Sequence, residues 1–334
     1  MDKRLNLTAA EGLEWPYPVN YDAVNHIYVD IAVIGGSFAG CGAALSSSKK
    51  GMRVALIDKA PIRRAGNGGA GIDHWNGVFS NPNSPITPED VMELQGGGKG
   101  VMHKDYIAVK MSWDALLEME KLGLPVRDEL DEFLNTPTRD KDSRMLKSYD
   151  YKNFVSVKLR GGHFIKDVLF NAAEADENIT LFNRIMITSL FTEGGQQNAP
   201  VAGCGGFSLE TGEYYVFHAK SVIIASGYTS GCWIMSTELT GNSYRWDPND
   251  TGEGMAMAWT HGAEIYNMHV NGSTKGQTPF AWPRFGVGIA TSTWYPCSMV
   301  DNDNKDIPWV DVKGNPIDSV VKRNIPDDDD DMFY

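Results

Sequence analysis

The feature that most limits what this chain can become lies between residues 29 and 58. Val29-Asp30-Ile31-Ala32-Val33-Ile34 is a short β-branched run of the kind buried in a parallel sheet. It ends on Gly35-Gly36-Ser37-Phe38-Ala39-Gly40, and a small-residue helix follows over Cys41–Lys50, closed by Gly51. Arg53-Val54-Ala55-Leu56-Ile57 reads as a second strand that finishes on Asp58. Strand, glycine turn, helix and strand make a complete βαβ unit. The turn has a chemical meaning as well. A phosphate pair needs backbone N–H groups at a helix N-terminus and residues without bulk around it. Gly35 makes the turn, Gly40 lets the helix pack on the strand, and Ala44 continues the small face. Ser37 replaces the middle glycine of the dinucleotide pattern, a departure small enough to sit beside a pyrophosphate. Asp58, 23 residues past Gly35, stands where ribose hydroxyls would be accepted. These features in register point to a bound dinucleotide; the competing explanation is a merely tight structural turn.

Arg63-Arg64-Ala65-Gly66-Asn67-Gly68-Gly69-Ala70-Gly71 follows the second strand within a few residues. Nicotinamide-binding domains usually enter another βα unit at this point. A glycine-rich extended segment could instead lie along a long cofactor, offering amides to an isoalloxazine edge; otherwise it is a flexible loop.

Composition narrows the partners. The chain has 334 residues, room for a large α/β domain plus part of a second. Acidic residues number 43 against 30 basic ones, a net charge of -13, which suits neither nucleic acid nor an anionic membrane surface. Cys41, Cys204, Cys232 and Cys297 form no close pair, so the spacing offers no cysteine-bound cluster or zinc ribbon and suits a reducing compartment. The seven histidines are scattered, and no metal site is expected. The first thirty residues lack a secretory apolar core. Ile31–Ser48 carries no charge, but its four glycines and four serines break it into a strand and a turn, so no direct membrane span is expected. The chain reads as cytoplasmic.

Along the rest, residues 1–28 read as an extended arm and residues 60–102 as irregular. His103–Leu122 reads as one amphipathic helix with Ile107, Met111, Leu116 and Leu122 near one stripe, stopped by Gly123 and Pro125. Residues 126–153 are charged and expected to be exposed. Phe164–Ala172 marks a further helix and Ile179–Leu190 a strand. Val201–Leu209 and Tyr214–Ala219 read as a hairpin, and Ser221–Ala225 as another buried strand. No internal repeat is present, and Asp327–Asp331 is read as a solvated tail.

Five segments carry a resemblance. They are Asp30–Ala44 with Asp58-Lys59, Arg63-Arg64-Ala65-Gly66 running to Asn76, and His103–Pro125. The fourth runs from Arg184-Ile185-Met186-Ile187 through Ala219–Gly227, and the fifth from Thr251-Gly252-Glu253-Gly254 through Gly262-Ala263-Glu264. In this order the chain resembles the flavoprotein subunits of the fumarate reductase and succinate dehydrogenase family, most of all its adenylylsulfate reductase alpha branch. The resemblance implies an α/β fold with a Rossmann-like FAD-binding domain (the GR2-type flavoprotein fold) and the start of a capping domain. The domain expectation is an arm at 1–28, the FAD-binding domain at 29–280, and the start of a capping or substrate domain at 281–334. The family's later stretch, with its catalytic arginine and final glycine pair, is not found, so a fragment or a chain completed by a second polypeptide is expected.

By resemblance, Gly35, Gly36, Ser37, Ala39 and Gly40 would hold the FAD pyrophosphate, and Asp58 and Lys59 the adenosine ribose. Arg63, Arg64, Gly66, Asn67, Gly68, Gly69, Ala70 and Gly71 would run past the flavin. Met186 would meet the adenine through its backbone, Ala225-Ser226-Gly227 would close on the cofactor, and Glu253 replaces the family's aspartate. Asn76 matches an asparagine that faces the flavin ring in the sulfur-metabolising branch; His74, Trp75 and Arg245 are further substrate-side candidates. Arg245 could equally form a surface ion pair. His269-Val270-Asn271-Gly272-Ser273-Thr274 departs from the family's substrate run, and no histidine sits in register for covalent flavin attachment, so FAD is expected to be non-covalent. The expected activity is two-electron exchange between a small anionic substrate and an iron–sulfur, ferredoxin-like subunit in a hetero-oligomer. The rivals are a flavin-bearing electron-transfer or scaffold subunit without a substrate site, and a nicotinamide dehydrogenase.

Overall fold

A computed structural model describes residues 23–94, 102–148, 154–196, 198–227, 249–265, 302–305, 310–311 and 313–316. The chain runs through β1 (Val24–Ile34), α1 (Phe38–Ser48), β2 (Val54–Asp58), β3 (His74–Asn76), α2 (Pro88–Leu94), α3 (Met102–Lys110) and α4 (Ser112–Lys121). It continues through β4 (Leu146–Lys147), β5 (Ser156–Lys158), α5 (Ile165–Glu174), β6 (Ile179–Asn183), β7 (Ile185–Thr192), β8 (Val201–Ser208), β9 (Tyr214–Ile224) and α6 (Glu253–Thr260). These elements form two compact units. The first runs to Gly66, resumes at Ala172 and takes up again at Thr251; the second occupies Asn67–Asn171 and includes Asp250. The single expected domain at 29–280 is thus interrupted.

In the first unit a six-stranded sheet has the order β6-β2-β1-β9-β8-β7. The pairs β6/β2, β2/β1 and β1/β9 are parallel, and β9/β8 and β8/β7 antiparallel. One face buries Ala32, Ile34, Ala55, Ile57, Ile187, Leu190, Phe217 and Met257 in a single apolar cluster. Val33 and Leu56 alternate to the other face, where Cys41 and Ala44 of α1 are fully buried. The parallel strands are apolar on both sides for this reason. Burial also pushes the Cys204 thiol up to about 12, which makes it an inert core residue.

Several expectations are corrected here. β1 begins at Val24, inside the expected arm, because Val24–Val29 alternates exposed and half-buried positions along an extension of the sheet. The expected strand Ile179–Leu190 is two strands at opposite edges of the sheet, parted at Arg184, whose φ of 57° no strand tolerates. The expected hairpin strand at Tyr214–Ala219 and the buried strand at Ser221–Ala225 are one continuous β9.

In the second unit β3, β5 and β4 form a three-stranded antiparallel sheet, and α2 and α3 pack around Val91, Met92 and Val109. The glycine-rich stretch 60–102 therefore contains a strand, a helix and two short 3-10 turns. The expected helix His103–Leu122 breaks at Met111. Ser112 Oγ donates to the Val109 carbonyl at 2.7 Å, the group that Trp113 N–H would use in a continuous helix. Trp113 N–H donates instead to Ser80 Oγ at 3.0 Å. Of the expected stripe only Leu116 is buried, while Ile107, Met111 and Leu122 are exposed.

The charged stretch 126–153 is not simply exposed. Asp128 is fully buried and accepts backbone N–H bonds from Glu132 at 3.1 Å and Phe133 at 3.0 Å. Arg160 Nη1 reaches it at 3.3 Å, and Arg139 Nε lies 3.1 Å away as a charge contact rather than an aligned hydrogen bond. Desolvation pushes the Asp128 carboxyl up, but the two backbone donors and the two guanidiniums outweigh it and hold it below the usual range. Charges far apart in sequence satisfy one another here, which composition cannot display.

Candidate functional site

The site begins where β1 ends. Gly35 N–H donates to the Ile57 carbonyl at 2.7 Å, and Ala225 N–H to the Ile34 carbonyl at 2.7 Å, so three parallel strands stop together at the turn. Gly35 has φ 105°, and a Cβ on it would lie 2.3 Å from the Ala225 carbonyl oxygen. A Cβ on Gly40 would lie 1.7 Å from the Gly35 oxygen, so α1 touches the turn with no room for a side chain. Ser37 is the N-cap residue of α1 and makes no side-chain cap bond. A helix start without a side-chain cap, approached through glycines, can receive an anionic group.

Neighbouring segments close around this turn. Ile62, fully buried, packs where a Cβ on Gly36 would lie 2.9 Å from its Cγ1, and a Cβ on Gly66 would lie 2.5 Å from Ser37 Cβ. Asp58 Oδ2 accepts Gly36 N–H at 2.5 Å and its Oδ1 accepts Ala60 N–H at 2.6 Å. The acid therefore braces the turn as well as ending β2, and a carboxylate oxygen with one such bond still has a lone pair for a hydroxyl. Lys59 Nζ pairs with Glu253 Oε1 at 3.1 Å, and Thr251 Oγ1 donates to the same carboxylate. Desolvation raises the Glu253 pKa, but the Thr251 hydroxyl, its own backbone N–H and Lys59 together hold it below the ordinary value. Gly254 sits where a Cβ would lie 2.0 Å from Ser226 Oγ, bringing the start of α6 onto Ala225-Ser226-Gly227. Met186 lies on the edge strand β7 with Phe207 of β8 opposite. Ala39, Arg63, Arg64 and Gly227 are exposed.

The expected run from Arg64 to Gly71 is shared between the units, passing from one to the other at Gly66 and Asn67. Within the second unit Asn67–Ala70, with Gly68 and Gly69 at its centre, forms a 3-10 turn, and Asn67 Nδ2 donates to the buried Asp250 at 2.7 Å. Gly71 has φ 100°, and a Cβ there would lie 2.6 Å from His163 Cα. The turn leads into β3, where His74, Trp75 and Asn76 stand opposite Lys158, Val157 and Ser156. Asp73 Oδ1 contacts His74 Nδ1, and Ser156 Oγ donates to Asn76 Oδ1 at 2.5 Å. The structure thus brings His74 and Asn76 to one strand face; Arg245 and His269–Thr274 lie outside the described residues. Sequence reasoning missed Asp73, Ser156, Lys158 and Asp250. Asp73 could have been found as the acid beside His74, but the other three need the pairing of distant segments.

A cofactor with a pyrophosphate fits what is present: a glycine cradle that a Cβ would fill, a helix start without a side-chain cap, and an acid at the end of β2. The comparisons agree. The chain is 25% identical over 244 residues to the adenylylsulfate reductase alpha subunit of Megalodesulfovibrio gigas, covering 69% of this chain and 34% of that protein. It is 26% identical over 242 residues to a polypeptide of the fumarate reductase (CoM/CoB) of Methanothermobacter marburgensis, covering 72% of this chain and 41% of that one. The solved adenylylsulfate reductase of Archaeoglobus fulgidus superposes with a TM-score of 0.58 at 25% identity, over 74% of this chain and 38% of that one. The chain therefore spans well under half the length of these relatives. The family described as "FAD binding domain" matches residues 30–272, most of the chain, and the protein belongs to that family, whose cofactor is FAD.

Proposed function

We propose that this chain is the flavoprotein part of an oxidoreductase that exchanges two electrons between a small anionic substrate and an iron–sulfur partner subunit. The observation that carries this reading is the contact of Gly40 with Gly35, which starts α1 against the turn with no side chain between them, as pyrophosphate binding at a helix start requires. Two relatives of this chain are named for reduction of adenylylsulfate and of fumarate, both anions, which supports the substrate class.

Bound FAD would supply reversible two-electron chemistry at its isoalloxazine ring. The chain's own residues do the holding. Ser37, Ala39 and Gly40 present backbone to the pyrophosphate, Gly35 and Gly36 give it clearance, and Asp58 accepts from the ribose while keeping its bonds to Gly36 and Ala60. Lys59 acts through its pair with Glu253, which ties the end of β2 to the start of α6. Met186 offers backbone to the adenine, and Ala225, Ser226 and Gly227 close the strand end. Arg63, Arg64 and the segment Gly66–Gly71 line the flavin, and His74, Trp75, Asn76 and Arg245 serve the substrate. Binding is non-covalent, since Asn67–Gly71 contains no histidine and His74 is committed to Asp73. The site of action is the cytoplasm; no helix among the described residues is long and apolar enough to cross a membrane.

Acid precipitation of the purified yellow protein tests this reading. All the flavin is expected in the supernatant, followed on the native protein by bleaching with a chemical reductant and recovery with an anionic acceptor. Flavin retained in the washed pellet would refute non-covalent binding, and a colourless protein would refute the oxidoreductase reading.

A further inference from the structure

The small sheet of the second unit has a face whose chemistry extends beyond the residues assigned so far. Alternation along antiparallel strands puts His74 and Asn76 of β3 on the same side as their cross-strand partners Lys158 and Ser156 of β5. Trp75, the fully buried Val157 and Lys147 of β4 alternate to the other side. One side of the sheet is therefore polar at four neighbouring positions, with the buried Leu146 of β4 beside Lys158, and the other carries Trp75, Val157 and Lys147.

The bonding on the polar side leaves one kind of capacity. Ser156 Oγ occupies Asn76 Oδ1 at 2.5 Å, which fixes the amide and turns its two N–H groups to other work. Those N–H groups meet no acceptor among the described residues, and no carboxylate among the described residues pairs with the exposed Lys158. His74 is mostly covered, its side chain 13% exposed, and its Nδ1 is held by the half-exposed Asp73. That contact holds Nδ1 and fixes the orientation of the ring. The capacity left on this face is thus the Asn76 N–H groups and the Lys158 ammonium, in a chain whose net charge is -13.

We infer that this face is a binding site for one small oxyanion, a carboxylate or a sulfur oxyanion, held by the Lys158 ammonium and the Asn76 amide beside the ring of His74. Asp73 is the positioning residue for His74, and Ser156 for Asn76. The inference rests on the reading of the chain as a flavoprotein acting on small anions, and it adds Lys158, Ser156 and Asp73 to that site.

The test is calorimetric titration of the FAD-loaded protein with sulfite and, separately, with fumarate, each beside a flavin-to-protein ratio. One of the two anions is expected to bind. Lys158→Met should weaken it about tenfold, the worth of one charge-assisted contact, and His74→Gln should weaken it less, with the flavin ratio unchanged in both. Lys158→Arg should keep the affinity, and so should Lys147→Met on the opposite side of the same sheet. Asp73→Asn should weaken binding and Asp73→Glu restore it, a rescue that a purely structural role would not give. Absence of heat with both anions, an unchanged affinity in Lys158→Met, or an equal loss in Lys147→Met would overturn the inference. Calorimetry reads the anion with or without flavin, so a flavin-free protein defeats the oxidoreductase reading, whereas a flavin-loaded protein indifferent to Lys158 defeats this inference alone.

Discussion

Around Gly35 and Gly40 the structure is dictated by atoms that are missing, whereas around Asp128 it is dictated by atoms that must all be present. In the first unit a Cβ at either glycine would overlap a backbone oxygen, and the turn survives because nothing stands there. In the second unit a fully buried carboxylate gathers two backbone N–H groups and two guanidiniums, and the local chain is wound about that charge. Backbone proximity cannot be relaxed by neighbouring side chains, so the turn is unforgiving of any added volume. A charge cluster tolerates volume changes but fails when one partner is removed and the others stay buried. The glycine turn can therefore be tested by adding atoms, and the charge cluster by deleting charge.

The largest effect should follow Gly40→Val. Its branched Cβ would enter the space occupied by the Gly35 oxygen, and overlap with backbone at this distance costs more than about 3 kcal/mol. The flavin-to-protein ratio should fall near zero with a lowered melting temperature; an unchanged ratio would detach the turn from the cofactor.

Asp128→Asn should come next. It preserves volume but removes the buried charge that Arg139 and Arg160 face, leaving them their pairs with Asp131 and Glu132, and a melting temperature lower by on the order of 5–10 °C is expected. Hydrogen exchange should quicken at Glu132 and Phe133 while the amides of β1 and β9 keep their protection. Equal loosening of both regions would erase the contrast drawn here. The pH dependence has a definite sign. The Asp128 carboxyl is held low in the folded chain, so its contribution is present above the ordinary carboxylate pKa of about 4 and is lost as pH falls through the lower folded value. Acid titration of the Glu132 and Phe133 amides should show this loss in the parent and not in Asp128→Asn.

Glu253→Gln should have the smallest effect. The side chains of Lys59 and Glu253 are about a third exposed, so breaking their pair is worth about 0.5 kcal/mol, and flavin affinity should fall only about two- to threefold. A loss as large as that of Gly40→Val would mean that this pair, and not the glycine turn, governs binding.

The same contrast explains what could be read from the sequence. The βαβ unit was legible because each demand in it is local: a glycine where a Cβ collides, an acid at the strand end, small residues facing the strand. The break at Arg184 was hidden because an arginine with positive φ looks like any other arginine between two apolar runs. The break at Met111 was hidden because it depends on a hydroxyl from Ser80, 33 positions from the N–H it accepts. Residues 126–153 looked like a solvated stretch because sequence counts charges without showing which of them meet. His74 and Asn76 were visible as candidates, but Lys158 and Ser156 acquire meaning only through strand pairing across 80 positions or more.

The pairing of β1 with β9 also bears on how the chain is made. Its registered positions are far apart, with His26 contacting His218 across 192 positions. At ribosomal speed, roughly ten to forty seconds separate the appearance of the two strands. During that interval Ile31–Ile34, an apolar segment suited to a central strand, lacks one of its two neighbours and offers an open edge to other nascent chains. Slow, long-range closure of this kind makes the yield of soluble protein depend on synthesis rate and chaperone supply more than on final stability, and slower synthesis at reduced temperature should raise that yield.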